Sequence, residues 1–223
     1  MNMERRIKIN KNLTEMIFIM DRSGSMQNLV SDTIGGYNSM IDRQRNEEGE
    51  ATVTTVLFDD KYDILFENAD IKKVPDLTEK EYYARGMTAL LDAIGKTINQ
   101  VSARHRAAVD SAIPAKTVVV IITDGMENSS KEYNLSTIKS MVEKQKNEFG
   151  WEFVFMGANI DAISVASGMG IDASRAANYH ADGVGTATNF MAVGKMFTAV
   201  RKGSGITDNW KDDIDKDYKS RKK

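Results

Sequence analysis

Five residues in this sequence could form one oxygen-rich site: Asp21, Ser23 and Ser25 in "DRSGS", Thr88 in "RGMT" and Asp124 in "ITDG". The first three alternate along the chain, so a loop can turn all three side chains toward one point, with Gly24 relieving the backbone. A tight turn would be satisfied by one such oxygen beside a glycine. The set holds carboxylates and hydroxyls and nothing softer, which suits Mg2+, with Ca2+ or Mn2+ as alternatives. Two carboxylates about balance the charge of a divalent ion. An ion contacted directly by hydroxyls would keep its Lewis acidity and favour one more anionic oxygen.

Taken singly, each residue has a plainer role. Ser23 and Ser25 suit turns and helix caps, and Thr88 is a natural N-cap. Placement is what joins them. Met16–Met20 is a continuous apolar run that ends on Asp21, and "TVVVII" at 117–122 continues through Thr123 to Asp124. Runs of this kind read as central strands covered on both faces. In an open parallel α/β sheet, ligands bind beyond the carboxyl ends of the strands, where the strand order reverses. If these two strands are neighbours there, Asp21 and Asp124 face each other across the crevice. Thr88 caps the next helix or faces the same crevice.

The remaining pattern alternates. Helical spacing over 28–46 follows the first strand, then a β-branched strand at 51–58, a turn at 59–61 and an antiparallel partner at 62–66. A helix is expected from Thr88 to about 105, another at 135–142, a strand at 151–156, a short helix at 161–168, a weak strand at 175–179 and a closing helix at 186–201. Strands alternating with helices predict an α/β fold: a doubly wound, mostly parallel central sheet with helices on both faces. One domain is expected over 14–202, with an N-terminal extension at 1–13 and a charged, solvated tail at 203–223.

Among other candidates, Asp59 and Asp60 read as turn residues, Asp92 as a partner for the helix dipole, and His105 as part of a surface helix. His180 reads as a loop residue. Glu127 and Asn128 are rim or solvated loop positions. Met26, Met87 and Met126 lie in the ligand-bearing loops, as packing or as a soft apolar rim.

Composition removes several classes of function. The 223 residues carry 41% hydrophobic and 28% charged side chains, as expected of a globular protein with a real core. A net charge of −2 gives no reason to expect a nucleic-acid or membrane partner. The chain has no cysteine, which excludes disulfides, thiolate zinc sites and cysteine nucleophiles, and its two histidines are too few for a histidine-built centre. Arg5, Arg6 and Lys8 precede an apolar run too short for a signal core or a membrane span, so a cytoplasmic location is expected.

The three motif parts, in this order and after these elements, resemble the metal-ion-dependent adhesion site of von Willebrand factor type A domains, over roughly residues 14–201. The resemblance implies a doubly wound sheet with one antiparallel edge strand. It implies Mg2+ held directly by Ser23 and Ser25, with Thr88 and Asp124 exchanging direct and water-mediated roles and Asp21 acting through water. It also implies a sixth position open to a Glu or Asp of a protein partner, in the manner of compact intracellular bacterial or phage members. That makes a non-enzymatic binding module the leading reading. A Mg2+-dependent hydrolase acting on a phosphorylated substrate is the alternative, but it wants a second acid where "DRSGS" has hydroxyls, and a Lys that does not follow Asp124 directly. Nucleotide binding is a third reading, yet no G-x-G-x-x-G follows the first strand.

Overall fold

The computed structural model describes residues 10–221. Six strands form one sheet: β1 (Asn10–Asp21), β2 (Glu50–Phe58), β3 (Tyr62–Asp70), β4 (Pro114–Thr123), β5 (Glu152–Ala158) and β6 (Ala176–Tyr179). Their spatial order is β3-β2-β1-β4-β5-β6, parallel throughout except for the antiparallel edge pair β2–β3. The chain order reverses between β1 and β4, so the crevice outside those two strand ends is the switch point at which such sheets bind ligands.

Alternation along β1 explains its unbroken apolar run. Met16, Phe18 and Met20 enter the core on one face of the sheet, while Ile17 and Ile19 enter the core on the other. Each face needs its own cover of helices. Helices α1 (Val30–Arg45) and α5 (Gly183–Arg201) supply the first layer, where Phe18 meets the Tyr37 ring edge-on at 5.5 Å. Helices α2 (Leu90–Ala107), α3 (Leu135–Phe149) and α4 (Ala162–Gly168) supply the second through Ile94, Ile98, Ile138, Val142 and Ala166. None of the helices formed by the described residues is long and apolar enough to cross a membrane.

Four expectations change. The segment from 203 onward is no solvated tail. A short turn of helix at Asp208–Lys211 leads into α6 (Asp212–Ser220), and Ile206, Trp210 and Ile214 are buried in the first core. The Trp210 indole N–H donates to the Ser174 carbonyl at 2.8 Å, and Lys211 Nζ donates to Ala173 and Ala176 carbonyls. Apolar residues at every fourth position bring one helical face onto the β6 side of the domain, and polar bonds fix its register. Trp210→Ala is therefore expected to lower the unfolding free energy by about 3 kcal/mol, read from urea denaturation; a change within experimental error would return the segment to the solvent.

His180 is part of the same anchor. Its Nε2 donates to the Tyr218 carbonyl at 3.0 Å, and its ring lies 4.8 Å from the Tyr218 ring. His105 is only partly exposed and serves the fold: its Nε2 is 2.6 Å from Glu15 Oε2, and its ring packs edge-on against Trp151. Glu15 is buried in β1 and is also paired with Arg104, so α2 is pinned to the centre of the sheet by charge as well as by apolar contact. The N-terminal extension is shorter than expected, because β1 already begins at Asn10; residues 1–9 lie outside the described part.

Candidate functional site

Asp21 is the last residue of β1 and is fully buried. Its Oδ1 accepts the Ser23 backbone N–H at 2.6 Å, which curls the chain so that Ser23 and Ser25 project to the same side. The two hydroxyl oxygens lie 3.0 Å apart, and Ser25 Oγ donates to Asp124 Oδ1. Across the switch point, Thr123 at the end of β4 donates its hydroxyl to Asp21 Oδ2 at 2.5 Å. Four of the five candidate residues are thus joined by direct hydrogen bonds across the β1–β4 crevice.

Thr88 completes the set from the α2 side. A Cβ built on Gly125 would fall 3.2 Å from Ser25 Oγ and 3.3 Å from Thr88 Oγ1, so both hydroxyls face one point above Gly125. Thr88 is not an N-cap: α2 begins at Leu90, and its cap position is Ala89, whose side chain makes no capping bond. Gly125→Ala would push a methyl group between the two hydroxyls. A Mg2+ affinity roughly ten-fold lower is expected, with an unchanged melting curve, both measurable by calorimetry; unaltered affinity would place the ion elsewhere.

The loops that carry these residues are fastened to one another. Gly24 N–H donates to the Gly86 carbonyl and Arg85 N–H to the Arg22 carbonyl, laying "DRSGS" along the loop that leads to Thr88. The glycine the backbone needs here is Gly86, with φ +67°, where a Cβ would also strike the Asp60 carboxylate. Gly24 has no such requirement, since a Cβ there would make only an ordinary contact. Tyr82 donates its hydroxyl to the Asp21 carbonyl at 2.5 Å beneath the site.

Asp59, expected as a turn residue, is fully buried and serves the same loops. Its Oδ2 accepts Arg22 Nε at 3.0 Å and Arg85 Nε at 2.6 Å, while both guanidinium groups also reach Asp63. Burial opposes its ionisation, yet the Arg85 hydrogen bond, the Lys61 backbone N–H and the two Arg charges hold its pKa below the ordinary aspartate value. Arg22 and Arg85 are engaged in these pairs, while Asp21 and Asp124 bond to hydroxyls and backbone.

Asp92, Glu127 and Asn128 are structural as well. The Asp92 carboxylate accepts the backbone N–H groups of Lys131, Glu132 and Tyr133, which together hold its pKa down despite its burial. Glu127 accepts from Leu91, Ser129 and Ser130, and Asn128 Oδ1 accepts the Thr88 N–H at 2.9 Å. The loop after Asp124 is thereby folded onto the start of α2. Thr123 and this set of supports were missed from sequence; the one signal was that Thr123 stands between an apolar strand and a strand-end acid.

The donor set fits a hard divalent cation. Among the described residues no group of three or more His, Asp or Glu side chains could hold a metal, so any site here must be built largely from hydroxyls. Burial, the largest influence, lifts Asp21 to about 6 against the hydrogen bonds from Thr123 and Ser23, and the Asp124 charge adds to the rise. Burial raises Asp124 also, against the Ser25 hydrogen bond. The burial of two neighbouring acids is relieved by protonation or by a cation of matching charge, and the converging hydroxyls suit the second.

Comparison with known proteins bears on the fold. No family model matches the sequence, and no curated protein does. Among solved structures the chain is similar to proximal thread matrix protein 1 of the mussel byssus with a zinc-occupied metal-ion-dependent adhesion motif, at 17% identity and TM-score 0.59 over 86% of this chain and 47% of that one. It is similar to the von Willebrand factor domain of a type V pili tip protein of Porphyromonas gingivalis, at 9% identity and TM-score 0.61 over 89% and 99%. It is also similar to the manganese-loaded TRAP protein of Plasmodium vivax, at 16% identity and TM-score 0.57 over 82% and 75%. This chain spans less than half the length of the mussel protein and of a von Willebrand factor type A protein from Catenulispora acidiphila. The fold is that of von Willebrand factor type A domains.

Proposed function

We propose that this domain is a protein-binding module that holds a divalent cation, Mg2+ in the first instance, and uses it to capture a Glu or Asp side chain of a partner. The observation that carries the reading is the convergence of Asp21, Ser23, Ser25, Thr88 and Asp124 at the β1–β4 switch point, where among the described residues no basic side chain pairs with either acid. Ser23, Ser25, Thr88, Asp21 and Asp124 would hold the ion. When bound, it supplies a Lewis-acidic centre with a coordination position for an anionic oxygen. The hydroxyls leave that centre only partly neutralised, which is what makes a carboxylate an effective ligand.

The likeness in fold to domains whose metal sites hold zinc or manganese supports this reading. A hydrolase of phosphorylated substrates is less well supported. Such chemistry wants a free acid or base beside the nucleophile, whereas Asp21 is tied at both oxygens and the two nearby arginines are engaged with Asp59 and Asp63.

The test uses a random linear peptide library displayed on phage, selected against the Mg2+-loaded protein and eluted with EDTA. Eluted clones are expected to share an Asp or Glu, and Asn or Gln at that position should abolish binding. Binders that tolerate the amide, or that remain bound in EDTA, would contradict the proposal.

A further inference from the structure

The mouth of the site carries large apolar side chains in the open. Met87, immediately before Thr88, is 55% exposed, and Met126, two residues after Asp124, is 71% exposed. Met26, on the third ligand-bearing loop, is buried in the core. The two exposed methionines therefore sit on adjoining loops, one on the approach to α2 and one after β4, which Thr88 and Asn128 bond to each other beside the site. Their loops are held in place by Asn128, Glu127 and Asp92, so the methionines are presented on rigid supports.

Exposed methionines on fixed loops are costly to leave in water and well suited to covering an apolar surface, because the side chain is unbranched and adapts its shape. Most charges of the same rim are already used: Arg85 pairs with Asp59 and Asp63 and stacks on Tyr83, and Glu127 is engaged by backbone N–H groups, while the Asp60 carboxylate lies exposed beside Gly86. A ligand reaching this site thus meets the cluster of oxygens with two exposed apolar side chains on the adjoining loops.

We infer that Met87 and Met126 set the specificity of the site, selecting a partner segment in which the captured acid is flanked by large apolar residues such as Leu, Met or Phe. The inference rests on the binding reading above. Charge complementarity fixes the acid at the centre, and the methionines cover its neighbours once the acid is seated. An acid in a wholly polar segment would leave both methionines in water and bind more weakly.

The peptide selection tests this directly. EDTA-eluted clones should carry a large apolar residue within two positions of the acid. The Met87→Ser, Met126→Ser double variant should bind those clones roughly ten-fold more weakly or worse, with Mg2+ affinity unchanged in calorimetry. Clones that carry the acid with no apolar neighbour, or that bind the double variant equally well, would overturn the inference and leave the metal-site reading standing. Clones that resist EDTA, or an empty selection, would remove that reading and this inference with it.

Discussion

Asp59→Ala is expected to cost about 3–5 kcal/mol of stability, the largest effect of any single substitution near the site. The carboxylate is fully buried and pairs with two guanidinium groups, of which Arg22 is itself almost wholly enclosed. Removing it leaves the Arg22 charge in a dry setting with only the half-exposed Asp63 to answer it. Urea denaturation should show the loss, and metal affinity should fall too, since the arginines no longer hold the Arg85–Thr88 loop against "DRSGS". The pH dependence has a definite sign. Asp59 titrates below its unfolded value, so its contribution is complete above the ordinary aspartate pKa and is lost as the pH falls through the folded one. The Asp59→Ala variant should therefore lose less stability on acidification than the wild type. A variant with wild-type stability and an unchanged acid limb would show that the pair does no more than occupy space.

Asp21→Ala and Thr88→Ala are expected to separate metal binding from ligand capture. Asp21 is the hub of the site: it receives Ser23 from its own loop and Thr123 from β4, so its removal frees both hydrogen bonds and halves the acidic charge. A loss of roughly 100-fold or more in Mg2+ affinity is expected, and capture of acidic peptides should vanish with it. Thr88 contributes one neutral oxygen from the α2 side, and its backbone remains held by Asn128. Its alanine variant should keep Mg2+ within about ten-fold and still lose the peptides. Calorimetry with Mg2+ and then with an acidic peptide distinguishes the two. Peptide binding that survives in both variants would place the interaction elsewhere on the domain.

Most of the fold was legible because its central strands are buried on both faces. Met16–Met20 and Val118–Ile122 are apolar without interruption, as suits a central parallel strand. The approach of Asp21 to Asp124 at the switch point was legible for a different reason: acids at the ends of such strands have no packing role. What escaped was the work of ordinary polar residues. Asp59 sits in a sequence that reads as a turn, and nothing local shows that Arg22 and Arg85 converge on it from distant positions. His105 reads as a surface-helix residue because its partner Glu15 lies 90 residues away. The C-terminal segment did carry a signal, since Ile206, Trp210 and Ile214 recur every four residues, but the surrounding Lys and Asp outweighed it. Sequence leaves Thr88 as a cap or as a crevice residue, because its loop position depends on Asn128, 40 residues away.

The most direct test of the account is a calorimetric titration of metal-free protein with Mg2+, repeated on Ser25→Ala and Asp124→Ala. One ion per chain is expected in the wild type, with a loss of at least about ten-fold in affinity in each variant. Absence of Mg2+ binding to the wild type, or equal affinity in all three proteins, would contradict it.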